Sequence, residues 1–151
     1  MREILFRGIW VHGNKEWIEG DLVRDSEGKP HIVDTKYAVY WGGESIFVCE
    51  DECEVIPETV GQYTGLLDKD GKKVFEGDIV KCTDTTYDYS FTAVVIFGNP
   101  NGEYNWGFQL KRISGASANT DILLWFDMDD VGACAEVIGN IHDNKELLEV
   151  K

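Results

Sequence analysis

The sequence predicts a mainly β protein with several sheets, a small partial β-barrel and a short helix near the C-terminus. Two observations support this fold class. Short runs of β-branched and aromatic residues recur along the 151 residues, separated by Gly, Pro, Asn and Asp. Hydrophobic residues make up 43% of the chain, so it can bury a core without disulfides or a structural metal.

A hairpin over residues 60–81 is the clearest local signal. Its first strand is predicted to end before a turn at residues 68–71, and a second short strand leads to Glu76, Gly77 and Asp78. These three residues predict a tight turn, because glycine adopts positive φ without the strain that a Cβ would cause. The hairpin is expected to continue into the partial barrel.

The same Glu-Gly-Asp unit occurs earlier in the chain, at Glu19, Gly20 and Asp21. In both copies an apolar residue precedes the unit, and an aliphatic residue, a valine and a basic residue follow it. This repeat predicts a second turn of the same kind. The alternative is a coincidence of common turn chemistry.

The other elements are predicted in chain order from the same signals. Strands are expected within residues 2–10, 31–33, 37–41, 45–49, 91–97, 104–110, 122–126 and 136–141. Residues 113–121 are expected to form a loop, and residues 82–90 a loop or an exposed strand. Asp143 and Glu146 predict a capping box at the start of the terminal helix.

Residues 51–58 are acidic and contain a proline, which indicates a connection between two parts of the chain. An N-terminal β region at residues 1–56 would then precede a barrel-like C-terminal region at residues 57–151. The alternative is one compact domain.

Charge and composition limit the possible functions. The chain has 14 basic and 28 acidic side chains, so its net charge is 14 − 28 = −14, which repels phosphate backbones. No segment approaches the roughly 18 consecutive apolar residues of a transmembrane helix, and the N-terminus does not resemble a signal peptide. We therefore expect a cytoplasmic protein with reduced cysteines and no membrane partner.

No set of residues predicts a catalytic site, a cofactor or a metal. The turn at residues 68–71 partly matches a calcium loop but lacks its later ligands, so a hairpin turn is favoured. The acidic residues Asp127, Asp129 and Asp130 are interpreted as a solvated turn. Cys49 and Cys53 have metal-ligand spacing but no second ligand pair, which favours separate thiols.

The aromatic residues are the most informative candidates for binding. Aromatic residues make up 12% of the chain, and most are expected in the core or in cross-strand pairs. Tyr87, Tyr89 and Tyr104 lie among polar residues. We therefore predict that they line a surface for a partner, since protein interfaces are enriched in exposed tyrosine.

Several ordered motifs carry a resemblance to a known family. They are the opening residues 1–7, Gly61-Gln-Tyr-Thr-Gly-Leu66, Asp68-Lys-Asp-Gly-Lys72, Phe75-Glu-Gly-Asp-Ile-Val80 and Val137-Ile-Gly-Asn-Ile141. With these motifs the chain resembles the YopX family of bacteriophage and prophage proteins. The resemblance implies a mainly β fold with a partial barrel, a phage or prophage origin and a bacterial host. It implies no activity, and residues 101–130 show no shared pattern.

These observations favour a non-enzymatic interaction protein that binds a host or phage protein or associates with itself. A second hypothesis is an acidic mimic of nucleic acid that occupies a host nucleic-acid-binding protein. Direct nucleic-acid binding by a β-barrel is a third possibility, which the net charge of −14 disfavours.

Overall fold

The computed structural model describes residues 3–33, 39–41, 44–46, 53–99, 106–116, 120–126 and 132–149. Strands account for 55% of the chain and helix for 11%, which confirms the predicted mainly β, multi-sheet class. The two larger sheets are antiparallel, and neither closes into a barrel. The chain divides into two compact units, Met1–Tyr63 and Thr64–Lys151.

The first unit is built on three strands in the order β3-β2-β1. They are β1 (Phe6–Ile9), β2 (Trp17–Arg24) and β3 (Pro30–Val33). β4 (Val39–Trp41) and β5 (Glu44–Ile46) form a separate antiparallel pair. The buried apolar residues of this unit are Ile9, Ile32, Val33, Cys53, Val55 and Tyr63. A 3₁₀ turn at Pro57–Thr59 precedes the next strand.

The predicted turn at Glu19, Gly20 and Asp21 is wrong, because all three residues lie inside β2. Gly20 pairs with Phe6 of β1, and Asp21 pairs with Val33 of β3. β2 is the middle strand of the three, so its backbone groups are used in two ladders. A Gly-Asp pair is therefore compatible with an extended strand when neighbours occupy both sides.

The second unit contains the hairpin and a four-stranded sheet. β6 (Gly61–Leu67) begins in the first unit, where it pairs with β1, and continues into the second, where it pairs with β7 (Lys73–Phe75). The sheet has the order β10-β9-β8-β11. Its strands are β8 (Asp78–Asp84), β9 (Tyr89–Gly98), β10 (Gly107–Gly115) and β11 (Ala133–Asn140).

The turn between β7 and β8 has the backbone geometry that its sequence requires. Gly77 has φ +91°, and the Asp78 carboxylate accepts a 2.8 Å hydrogen bond from the Phe75 N–H. The Gly77 N–H donates to the Val95 carbonyl, and its own carbonyl accepts from the Ile141 N–H. This turn is therefore bonded to β9 and to the segment after β11.

Residues 122–126, predicted as a strand, form a short helix, α1 (Ile122–Phe126). Five consecutive apolar residues carry no period that distinguishes a strand from a helix. The Asp121 side chain accepts a hydrogen bond from the Leu123 N–H, and its carbonyl accepts one from the Leu124 N–H, so the chain turns here. Ile122 and Trp125 are buried, as spacing i, i+3 on one helix face requires.

The core of the second unit lies between α1 and one face of the four-stranded sheet. Its buried members are Val74, Val80, Cys82, Phe91, Ala93, Val95, Leu110, Ile122, Trp125 and Ala135. Trp125 makes edge contacts with Phe91, at a ring-centroid distance of 5.2 Å, and with Tyr89, at 6.2 Å. The helix thus covers the part of the sheet near the start of β9.

The terminal turn differs from its prediction. It is a 3₁₀ helix at Lys145–Leu148 with Asn144 at the N-cap, so the predicted capping box of Asp143 with Glu146 is wrong. The Asn140 side chain accepts hydrogen bonds from the N–H groups of His142 and Asp143. Asp143 is thereby held in the preceding turn and does not cap the helix.

Candidate protein-interaction surface

Three aromatic side chains cluster where β9 ends and β10 begins. Phe97 and Phe108 are register partners across the two strands, and their ring centroids are 5.1 Å apart. Trp106 precedes β10, and its ring lies edge-on to Phe97 at 6.1 Å. We refer to Phe97, Trp106 and Phe108 as the aromatic patch.

The aromatic patch continues the core face of the sheet beyond the part that is buried. Side chains alternate between the two faces along β9, so Phe97 lies on the same face as Phe91, Ala93 and Val95, whose side chains are buried. Phe97 is nevertheless 51% exposed and Trp106 76% exposed, whereas Phe108 is half-buried against the core. The patch is therefore a solvent-facing extension of the hydrophobic core.

Among the strands of the described residues, β10 is the outer strand of the four-stranded sheet, and it pairs with β9. Lys111 and Arg112 on this strand are both exposed. β10 therefore carries two exposed basic side chains, three and four residues after Phe108, in a protein with a net charge of −14.

The structure does not bring the three predicted tyrosines into one surface. Tyr87 is 77% exposed in the turn between β8 and β9, where the Asp84 carboxylate accepts hydrogen bonds from the Thr86 and Tyr87 N–H groups. Tyr89 is half-buried and packs against Trp125, and this burial raises the pKa of its hydroxyl. Tyr104 lies outside the described residues.

Sequence reasoning missed the aromatic patch because it assigned Phe97 and Phe108 to strands and treated such residues as core. The available signal was the run of turn residues 98–102, which predicts that β9 ends directly after Phe97. An aromatic residue at a strand end is covered only if another element extends over it. The sequence does not contain that information.

Asp68, the first residue of the candidate calcium turn, uses its carboxylate to hold backbone N–H groups. One oxygen accepts from the Asp70 and Lys72 N–H groups, both at 2.9 Å, and the other accepts from the Val137 N–H at 3.0 Å. N–H donors therefore occupy the positions that a cation would need. Within the described parts of the chain, no three His, Cys, Asp or Glu side chains are grouped to hold a metal.

Two other candidates lie wholly or partly outside the described residues. The acidic cluster of Asp127, Asp129 and Asp130 lies wholly outside them. Of the cysteine pair, Cys53 is described and Cys49 is not, so the distance between the two thiols is not defined. Among the helices of the described residues, none combines the length and hydropathy that a membrane span requires.

The fold and the patch define a class: an open, antiparallel two-sheet protein with an exposed aromatic surface where β9 ends and β10 begins. The family model described as YopX protein matches residues 5–149, so the chain belongs to the YopX family. Among solved structures, it is similar to the crystal structure of protein EF1440 from Enterococcus faecalis. That similarity has 23% identity and a TM-score of 0.46, and it covers 99% of this chain and 100% of the other. No curated protein matches the sequence.

Proposed function

We propose that this chain is a non-enzymatic interaction protein of phage or prophage origin. It acts in the cytoplasm of the bacterial host and binds another protein through the aromatic patch. The observation that carries the proposal is the exposure of Trp106 and Phe97, whose rings contact each other, next to Phe108, which packs against the core. Adjacent exposed aromatic side chains are typical of binding hot spots, because their burial supplies a large apolar area.

The charges favour a different protein over a second copy of this chain. Each copy carries a net charge of −14, so two copies repel each other. Lys111 and Arg112 follow Phe108 by three and four residues on β10 and are exposed. A partner with an apolar segment flanked by acidic residues would complement both features.

Affinity capture with single variants tests this proposal. The wild-type protein, Trp106→Ala and the control Leu67→Ser are immobilised and exposed to a lysate of the bacterial host, and the retained protein is then purified for affinity measurement. Leu67 is 48% exposed on β6, so the control removes an exposed apolar side chain elsewhere. We expect Trp106→Ala to weaken binding about 30-fold, which corresponds to roughly 2 kcal/mol, and Leu67→Ser to leave it unchanged. Equal binding by all three proteins would reject the patch as the interface.

The acidic mimic of nucleic acid is the second candidate, and the net charge of −14 favours it. Ionic strength separates the two functions. Binding by the patch is expected to persist at about 0.5 M salt, whereas an interface of opposed charges is expected to be screened. Self-association is tested separately by light scattering on the isolated chain at tens of micromolar, where a stable dimer would favour it over binding to a different protein.

A further inference from the structure

The first unit contains a cysteine, a histidine and an aspartate whose side chains are linked in that order by hydrogen-bond contacts. The Cys53 sulfur is 3.9 Å from Nδ1 of His31, and Nε2 of the same ring is 3.0 Å from Oδ2 of Asp25. The three residues are separated by 6 and 22 positions in the chain, and β3 carries the central histidine. No sequence motif announces this group, because its members come from different segments.

The fold fixes the position of each member. Oδ1 of Asp25 accepts hydrogen bonds from the Glu27 and Lys29 N–H groups, so the turn leaves Oδ2 for His31. The Cys53 carbonyl accepts a 3.0 Å hydrogen bond from the Ile32 N–H, which aligns the cysteine with the strand that carries the histidine. Backbone hydrogen bonds therefore hold both Asp25 and Cys53 in place relative to His31.

The hydrogen bonds select one tautomer of the neutral His31 ring. An ionised carboxylate only accepts hydrogen bonds, so in that tautomer Nε2 carries the hydrogen and Nδ1 faces the thiol as an acceptor. The hydrogen bond from His31, followed by that from the Lys29 N–H, holds the pKa of the Asp25 carboxyl below its ordinary value. The carboxylate therefore remains negative and stabilises an imidazolium when His31 takes the thiol proton.

We propose that Cys53 is a peroxide-sensitive thiol, with His31 as its base and Asp25 as the residue that positions and stabilises the base. The thiol proton moves to Nδ1 of His31, and the sulfur attacks one oxygen of a hydroperoxide. The O–O bond breaks, the sulfur is oxidised to a sulfenic acid, and the peroxide is reduced. With hydrogen peroxide, the leaving hydroxide takes the proton from His31 and departs as water.

Burial determines which reagents can reach this thiol. Cys53 is only 4% exposed, and the His31 side chain is 8% exposed, whereas the Asp25 side chain is 36% exposed. A reagent close to water in size is therefore expected to react, and a bulky one is excluded. Cys134 on β11 is half-buried and serves as an internal comparison within the same protein.

The experiment treats the folded, reduced protein with hydrogen peroxide, removes the excess peroxide, and then unfolds the protein in the presence of dimedone, so that sulfenic acid is trapped whatever its burial. Peptide mass spectrometry reports each cysteine separately. Wild-type protein is expected to be modified at Cys53 before Cys134. A maleimide carrying a polyethylene glycol chain is expected to show the reverse order. Modification of Cys134 first by peroxide would overturn the proposal without the need for any variant.

Two substitutions test the assigned roles. His31→Gln removes the base and is expected to slow peroxide modification of Cys53 roughly tenfold or more. Asp25→Asn keeps the Oδ1 acceptor for the turn but places an NH₂ group against Nε2, which reverses the imidazole tautomer, so it is also expected to slow the reaction. Circular dichroism checks that each variant is folded. A wild-type rate at Cys53 in a folded variant of either kind would contradict the assignment.

Discussion

The Asp68 carboxylate accepts a hydrogen bond from the Val137 N–H, at 3.0 Å and 69 residues further along the chain. This bond joins the hairpin turn to β11, next to the hydrogen bond from the Lys69 N–H to the Ala135 carbonyl. Asp68 is 7% exposed, and its two oxygens accept three backbone hydrogen bonds in all. One side chain thus organises both a local turn and a distant strand.

Asp68→Ala is expected to lower the free energy of unfolding by about 2 kcal/mol, because it removes the acceptor of three part-buried backbone hydrogen bonds. Asp70→Ala is the matched control, since Asp70 is an exposed acidic residue of the same turn. Its effect is expected to stay within about 0.5 kcal/mol. Urea unfolding measures both variants, and equal midpoints would disprove the role of Asp68.

The same carboxylate predicts a sensitivity to acid. Burial raises the pKa of Asp68, but the hydrogen bonds from the Val137, Lys72 and Asp70 N–H groups together outweigh it, and the net pKa lies below 3.8. A lowered pKa contributes stability that is present above the unfolded value and is lost as pH falls through the folded value. We expect Asp68→Asn to reduce the decline in unfolding free energy between about pH 5 and pH 2. Parallel pH profiles for wild type and variant would contradict this expectation.

Gly77→Ala is expected to destabilise the protein by about 1 kcal/mol or more, because alanine is strained at a φ of +91°. Gly71→Ala is a useful comparison. Gly71 has φ +82°, and a Cβ built there meets no atom within 4 Å, so that variant isolates backbone strain from packing. Thermal melts compare the two substitutions, and an unchanged midpoint for Gly77→Ala would refute the turn assignment.

Cys82 is expected to resist thiol reagents at neutral pH. Burial in the core, and to a smaller extent the nearby Cys134, raises its pKa from 9.0 to about 12, so the reactive thiolate is scarce. The raised pKa also contributes stability below pH 9 that is lost as pH rises toward about 12. Labelling with iodoacetamide at pH 8, with and without denaturant, measures the protection. Equal labelling of Cys82 in both conditions would argue against its burial.

Local chemistry was enough to predict the hairpin, because Gly77 and Asp78 form their turn from neighbouring residues. The same reasoning failed at Gly20, where identical residues are held in an extended strand by β1 and β3. It also failed at residues 122–126, because five apolar residues are compatible with a strand or a helix until Trp125 is seen against Phe91. In both cases tertiary contacts decided the conformation.

The candidate sites depend even more on distant contacts. Exposure of Phe97 and Trp106 depends on which other elements pack over the end of β9, and that has no local signature. Cys53, His31 and Asp25 meet only because β3 and two turns bring them together. Composition, by contrast, was sufficient for the net charge of −14, which the sequence alone gives.

The bond between Asp68 and Val137 has a consequence during synthesis on the ribosome. Asp68 leaves the exit tunnel 69 residues before its acceptor oxygen can meet the Val137 N–H, and β11 pairs with β8 across a similar gap. A nascent chain that stops before residue 133 therefore leaves one side of β8 without β11 and the hairpin turn untethered. Closure of the second unit therefore waits until β11 has been translated.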